Sequence, residues 1–415
     1  MQLVQKHIIS REHPYWRYFD QQSFLSKNLY NLANYHMRQH FFKTKKVLGF
    51  TQLYHLVSKT DDYYAMPNTK VSKQVIRRLH KSWVGYKQAH FDWTKHPNKY
   101  LGEPRLPRYK DITKGRYMIV FPSETVSKPP LRKGIVKLTP CPIEFNSGLT
   151  QVHEVRVIPK SGCYVVEIVY TQEELPFDLD EDKIAGIDLG LTNLVTLTAN
   201  QSGFPPLLIK GGALKAINTF YNKKKAKLQS SLEMSNGAKV SRRLLALTHK
   251  RNCRVDNYLH TTSRRVIDWC VHHKIKTLVV GKNQGWKNSI NIGKRNNQQF
   301  VGIPHAKLID QIVYKGKLVG IKVVMTEESY TSKSSFLHND PLPSYGEHSP
   351  KFSGKRIHRG LYISDKGIIN ADVNGSLNII RKVKPNVLSD YGDQGLPFSP
   401  VTGDPLRTHD FLQFV

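Results

Sequence analysis

The chain has 415 residues, enough for two or three domains at roughly 150 residues each. Its 63 Lys and Arg against 32 Asp and Glu leave a formal charge of +31, too large and too widely spread for a pocket reading one small acidic metabolite; the field points to nucleic acid, with an anionic membrane surface as the weaker competitor. At 39% apolar and 10% aromatic residues the chain can bury a core, which excludes a basic disordered protein.

Four cysteines, Cys141, Cys163, Cys253 and Cys270, form no CxxC pair, so neither a disulfide scaffold nor a cysteine zinc site is expected and a reducing compartment fits. The amino terminus has no long apolar run and apolar stretches elsewhere are of strand length, which argues against secretion and membrane spanning.

In chain order, residues 24–42 and 71–93 read as helices interleaved with aromatics, the second carrying Val71, Val75, Leu79 and Val84 near one face and Arg77, Arg78, Lys81 and other cations toward solvent. From residue 96 a Pro-, Gly- and base-rich stretch with Arg105, Arg108 and Lys110 breaks the helix. Strand-like runs follow at 116–121, 135–139, 152–158 and 163–170, the last two forming a hairpin around PKSG. An acidic linker near 172 leads into IAGIDLGLTNLVTLTA, a strand, a Gly turn and a second strand. A basic helical stretch over 214–271, broken at Asn236/Gly237, carries Arg264 and Arg265. A strand at 276–281, a helix at 303–318, a strand at 320–326, a polar segment at 329–369 and a helix at 370–383 opened by Asn370 complete an α/β pattern with a mixed sheet.

Two carboxylates stand out. Asp188 sits between Ile187 and Leu189 in an apolar strand; taken alone it reads as a strand-end aspartate accepting turn amides from Gly190 to Asn193. Asp372 lies in the first turn of the last helix, where capping alone would explain it. Together they match the way ribonuclease H-like folds bring distant carboxylates to one sheet edge, where two divalent cations about 3.5 to 4 Å apart hold a scissile phosphate. Carboxylates suit Mg²⁺ as hard oxygen ligands. Glu327 and Glu328, after the strand ending at Thr326, are candidates for the third acid.

The segments GIDLGLTNLVTL, VVGKNQGWK, ESYTSKSSF, FSGKRIHRGLY and NADVNGSLNIIRK resemble the carboxy-terminal half of the transposon-encoded TnpB (OrfB) proteins, RuvC-like RNA-guided DNA endonucleases related to the type V CRISPR effectors. RYMIVF, LPRYK and the upstream basic helices agree with that family's amino-terminal lobe, extending the likeness over residues 1 to 384. The resemblance implies a multi-domain α/β protein: a β-barrel-like wedge domain at 1–14 and 96–171, a helical recognition domain at 15–95, a RuvC/ribonuclease H-like nuclease domain at 172–328 and 370–384, a nucleic-acid-loading insert at 329–369 and a flexible tail at 385–415. It further implies two Mg²⁺ ions, a transposon-derived guide RNA, double-stranded target DNA with a short adjacent motif, no membrane partner, and a prokaryotic cytoplasmic location at the nucleoid.

The sequence departs from the family pattern twice. Gly281 stands where typical members carry their middle glutamate, and Glu328 on the neighbouring strand exit is the nearest replacement, giving Asp188, Glu328 and Asp372 as the expected metal-binding catalytic set. Where relatives place two CxxC pairs, this chain has Ser334, Ser335, Ser353 and Gly354, so no structural zinc is expected. The insert then reads as a loop held by Phe336, Tyr345, Phe352 and Tyr362 that orders with nucleic acid. Lys282, Asn283, Trp286, Lys287, Lys333, Lys355, Arg356 and Arg359 flank the site as candidate phosphate contacts, equally readable as a solvated face. The rival reading is a cleavage-defective RNA-guided or transposon-end DNA-binding protein of the same fold; a structural ribonucleoprotein component rests on charge alone.

Overall fold

β-Branched runs bounded by turn residues produce most of the sheets, and long amphipathic stretches produce the helices that cover them. The computed structural model describes residues 1–415 except 202–203, 284–292, 349, 359, 387–399, 408–409 and 412–415. The chain divides into two compact units, Met1–Gln172 and Glu173–Val415.

In the first unit, β1 (Gln2–Ile9) is followed by α1 (Trp16–Thr44), α2 (Phe50–Val57), α3 (Asp61–Tyr64) and α4 (Thr69–Lys95). Then come β2 (Ile119–Pro122), α5 (Lys128–Arg132), β3 (Ile135–Leu138), β4 (Ile143–Asn146), β5 (Glu154–Lys160) and β6 (Cys163–Thr171). The sheet order is β1-β6-β5-β2, with β3 and β4 a separate antiparallel ribbon. Among the described residues, the domain expected to be barrel-like comprises a four-stranded sheet and this ribbon, linked by an isolated antiparallel bridge from Val126, just after β2, to Leu138 of β3. The helices lie between β1 and β2 in sequence. Their packing centres on fully buried Trp83, whose indole N–H donates to Asn34 Oδ1 at 2.9 Å.

The second unit begins with β7 (Asp180–Asp188), β8 (Asn193–Ala199) and β9 (Leu207–Lys210), then α6 (Gly212–Asn236) and α7 (Arg242–His272). β10 (Ile275–Gly281), α8 (Lys294–Val301), α9 (His305–Leu318) and β11 (Lys322–Thr326) follow, then β12 (Gly354–His358), β13 (Leu361–Ser364), β14 (Gly367–Asn370), α10 (Ala371–Val383) and β15 (Val401–Gly403). The main sheet runs β11-β10-β7-β8-β9-β15. β10 is parallel to both β7 and β11, whereas β7, β8 and β9 form an antiparallel meander. The expected flexible tail is corrected at its described part: β15 pairs with β9, and Phe411 is buried in the core. Apolar Val401 and Phe411 give the tail something to bury that its proline content concealed.

Strand alternation sets what faces what. On β7, Ala185 and Ile187 join the core that includes α7 and α9, while Ile184 packs on the opposite face with Val373, Leu377 and Ile380 of α10. Gly186 and Asp188 share the α10 face by the same period of two. The backbones meet at Gly186: a Cβ there would lie 2.4 Å from the Ser376 carbonyl oxygen, and the Ser376 hydroxyl donates to the Gly186 carbonyl at 2.7 Å. Gly186→Ala is therefore expected to push α10 off the sheet and destabilise the fold by about 1 to 3 kcal/mol, read as a lower thermal midpoint; an unchanged midpoint would show that the close approach is not required.

Candidate active site

The α10 face of the sheet ends in a cavity of about 440 Å³ lined by Asp188, Glu328 and Asp372, with Asn193, Asn283, Thr331, Ser332 and Arg356 around them. Each acid arrives from a different element. Asp188 closes β7, Glu328 follows the end of β11, and Asp372 lies in the first turn of α10.

Capping does not explain Asp372. The cap is Asn370, whose side-chain oxygen accepts the N–H groups of Asp372 and Val373 at 3.0 and 3.2 Å. The Asp372 carboxylate instead accepts from Asn193 Nδ2 at 2.8 Å and Arg356 Nη2 at 2.9 Å, one on each oxygen. Nor does the turn after β7 use Asp188: the Gly190 N–H bonds the Leu194 carbonyl. Asp188 Oδ2 lies 3.0 Å from where a Cβ on Gly375 would stand, so glycine in α10 keeps room for it.

The third position is built by exclusion of volume. Gly281, at the end of β10, pairs in register with Thr326. A Cβ on Gly281 would come within 2.7 Å of Glu328 Oε2 and 2.7 Å of Ile379 Cδ1. The glutamate carboxylate thus occupies space that any larger residue at 281 would contest. Its backbone is fixed by Asn283, whose Oδ1 accepts the Glu328 N–H at 3.1 Å, and by Thr331, whose hydroxyl donates to the Glu328 carbonyl at 2.8 Å. Glu327 turns elsewhere, accepting from the Tyr345 N–H and pairing with Lys382 at 3.7 Å.

Burial, then the neighbouring charges of Glu328 and Asp372, pushes the Asp188 carboxyl up to about 8, against partial relief from Arg356. Burial pushes Glu328 up to about 7. Carboxylates that resist ionising together are a donor set whose charge a divalent cation would neutralise, and hard oxygen ligands suit Mg²⁺. By donor chemistry the residues fit such an ion. Among the described residues, however, no three His, Cys, Asp or Glu side chains are gathered closely enough to form a ready-made metal site. Arg356 and Asn193 instead occupy the two oxygens of Asp372.

The insert between β11 and α10 is held by polar groups more than by rings. Burial raises the Asp340 carboxyl, but hydrogen bonds from the Ser353 hydroxyl and the Ser335 and Ser353 amides, with the His338 charge, outweigh it and hold that carboxyl low. Ser334 donates to the Asp340 carbonyl, and Asn374, Asn378 and Arg381 of α10 reach into the same turn. Phe336 and Tyr362 are buried as expected of packing residues, but Tyr345 is 88% exposed, correcting its assignment as a holding contact. Where the sequence reads as a loop, the insert contains a three-stranded sheet, β12-β13-β14, tied to α10.

The remaining candidate contacts separate by environment. Arg78 pairs with Glu154 at 3.0 Å and Arg264 with Asp268 at 2.7 Å, so both guanidinium groups are already engaged. Arg77 lies over Phe50, Lys110 over Tyr30 and Tyr117, Arg265 over Phe411 and Lys333 over Tyr330. Arg105 and Arg108 line a separate cavity in the first unit with Arg38 and Glu103. Lys81, Lys282 and Lys355 are exposed, and Asn283 and Arg356 line the carboxylate cavity. Trp286, Lys287 and Arg359 lie outside the described residues. Sequence reasoning missed Asn193; its position after the DLGLT turn was the available signal.

Residues 167–287 match the OrfB_IS605 probable transposase model and residues 305–379 the Cas12f1-like TNB domain. The two matched segments follow one another along the chain. Its mixed α/β fold is similar to that of the Cas12f1–sgRNA–target DNA complex, with a TM-score of 0.52, 15% identity, and coverage of 87% of this chain and 82% of that one. The mini-RNA-guided endonuclease CRISPR-Cas_phi3 aligns over 96% of this chain and 93% of its own at 10% identity and a TM-score of 0.40. No curated protein matches the sequence. No described helix is long and apolar enough to cross a membrane.

As pH rises from about 4 toward about 8, folded Asp188 keeps a proton that the unfolded chain has released, so its contribution to stability declines across that window. Asp188→Asn in the metal-free protein is expected to raise the thermal midpoint more near pH 8 than near pH 5, read by calorimetry; a pH-independent gain would show an unperturbed carboxyl. Asp340 carries the opposite sign. Its stabilisation is present above its unfolded pKa and lost as pH falls through its lower folded value, so Asp340→Asn should remove an acid-side loss of protection in amide exchange at residues 331–340.

Proposed function

We propose that this chain is an RNA-guided DNA endonuclease of a transposon, with Asp188, Glu328 and Asp372 as the metal-binding catalytic acids. The single observation that carries the reading is the convergence of these three carboxylates, from β7, the exit of β11 and α10, on one cavity. The OrfB_IS605 and TNB matches and the fold likeness to Cas12f1 support it. Since the Cas12f1 structure holds a guide RNA and target DNA, a guide RNA transcribed from the transposon and double-stranded target DNA with a short adjacent motif are the partners we assign here, consistent with the +31 charge. A prokaryotic cytoplasmic, nucleoid-associated location follows from those partners. On this reading residues 172–328 and 370–384 form the nuclease domain and 329–369 its loading insert.

Two bound Mg²⁺ ions would supply charge for the scissile phosphate and a water of lowered pKa. Asp188, Glu328 and Asp372 would hold them. Asn283 and Thr331 fix the Glu328 backbone so that its carboxylate stays beside Gly281, and Asn193 orients Asp372. Arg356 presents a guanidinium in the same cavity, a donor geometry suited to phosphate oxygens once it leaves Asp372. That same ion pair favours the second reading, a cleavage-defective binding protein, because it occupies an acid needed for metal.

Glu328→Gln is expected to leave fold and guide binding intact and lower Mg²⁺-dependent cleavage by about a hundredfold or more, beyond the roughly 10-fold lower limit for losing support of a metal ligand. Glu327→Gln, tested with the same guide RNA, target and free Mg²⁺, should cleave nearly as wild type. Equal cleavage by wild type and Glu328→Gln would exclude Glu328 as the third acid, and a wild-type protein that binds guide and target without cutting would establish the binding reading. RNA affinity should fall steeply between about 50 and 200 mM salt and survive Asp188→Asn.

A further inference from the structure

A groove of about 730 Å³ lies between α6 and α7 in the second unit, formed by one face of each helix and containing none of the three cavity acids. The helices make a hairpin whose turn is fixed at both ends: Gly237 closes α6 in the left-handed conformation at φ 66°, and the Ser241 hydroxyl caps α7 by accepting the Leu244 N–H. Among the described residues no carboxylate lines the groove, whereas Lys224, Lys227, Arg243, Lys250 and Arg254 do. None of these five has an ion pair among the described residues. Arg251, the sixth cation, is committed to Asn218 and the Gly302 carbonyl, and its guanidinium lies 5.6 Å from the Tyr221 ring.

Two adjacent aromatics behave differently. Tyr221 is fixed, with Lys225 and Arg251 against its ring and its hydroxyl 3.1 Å from Thr248 Oγ1. Phe220 is 54% exposed at the groove wall, with the Lys224 ammonium 5.9 Å from its ring centroid. An open aromatic face among unpaired cations is the combination that binds single-stranded nucleic acid, since a base stacks on the ring while the cations follow the phosphates. Bases free to stack in this way are offered by unpaired RNA segments, whereas duplex DNA keeps its bases stacked inside. The exposed Ser231 hydroxyl on the same wall is available to a ribose 2′-OH.

We propose that the α6/α7 groove binds an unpaired segment of RNA, with one base stacked on Phe220 and the adjoining phosphates on Lys224, Lys227, Lys250 and Arg254. The proposal deepens the RNA-guided reading and rests on it for the identity of the RNA, but the groove's chemistry is separate from the carboxylate cavity.

The test uses full-length protein freed of bound RNA and a short oligouridylate, with the matching oligothymidylate and a DNA duplex as comparators. Ultraviolet crosslinking followed by peptide mass spectrometry should place uridine on the peptide containing Phe220 and Tyr221. Phe220→Ala should weaken oligouridylate binding about tenfold without changing the salt slope, and Phe220→Trp should restore it. Lys227→Gln and Lys250→Gln should each reduce the slope of log affinity against log salt by about 0.7. An unchanged thermal midpoint in the Phe220 variants excludes a folding defect, because the side chain is exposed. Crosslinks found only elsewhere, tighter duplex or oligothymidylate binding, or an unaltered affinity in Phe220→Ala would overturn the proposal. If the crosslink and affinity effects appear while guided cleavage fails, the nuclease reading falls and the groove stands; guided cleavage that survives with no groove crosslink gives the converse.

Discussion

The site depends on the contact between β7 and α10 at Gly186 and Ser376. A missing side chain on the strand lets a helix carbonyl approach a position no Cβ could share, and the serine hydroxyl bonds the Gly186 carbonyl while lying 2.8 Å from the Thr198 hydroxyl. One turn earlier on α10 sits Asp372; two residues later on β7 sits Asp188. Their placement on one edge is therefore a consequence of backbone proximity. A second glycine, Gly375, leaves the room that the Asp188 carboxylate needs against the helix.

The parallel arrangement of β7, β10 and β11 supplies the remaining geometry. Parallel neighbours end at the same edge, so residues leaving β10 and β11 emerge side by side, as the register between Gly281 and Thr326 records. An acid carried on the exit of β11 consequently reaches the space above the end of β10. Local volume then decides occupancy: the absent side chain at 281 is filled by the carboxylate from 328.

Much of this architecture was legible in the amino-acid pattern because it rests on periodicity. The strands at 163–170 and 276–281 and the helices at 71–93 and 370–383 lie within a few residues of β6, β10, α4 and α10. Asn370 as helix opener was readable from its side chain and position, but that Asp372 was thereby released for other contacts was not, since Asn193 and Arg356 come from distant segments. The choice between Glu327 and Glu328 was open because alternation says nothing once a strand has ended; Lys382 and the Tyr345 amide, both remote in sequence, turn Glu327 away. The strand β1 and the insert's first strand, β12, went unseen because their side chains are mostly polar or exposed, leaving pairing rather than hydrophobic pattern as their cause, and β13 and β14 because each is only four residues long. Proline content likewise hid the short strand β15.

Asn374, Asn378 and Arg381 are spaced along α10 so that each grips the turn between residues 331 and 340, while Arg356 holds Asp372 from the insert's first strand. The insert and the helix are consequently geared together, with handles at both ends of the same rod. A ligand that lifted β12 would pull directly on the first turn of α10, and one that shifted the Asp340 turn would act on its later turns. Displacement at either of these two grips would therefore act on the helix that carries Asp372.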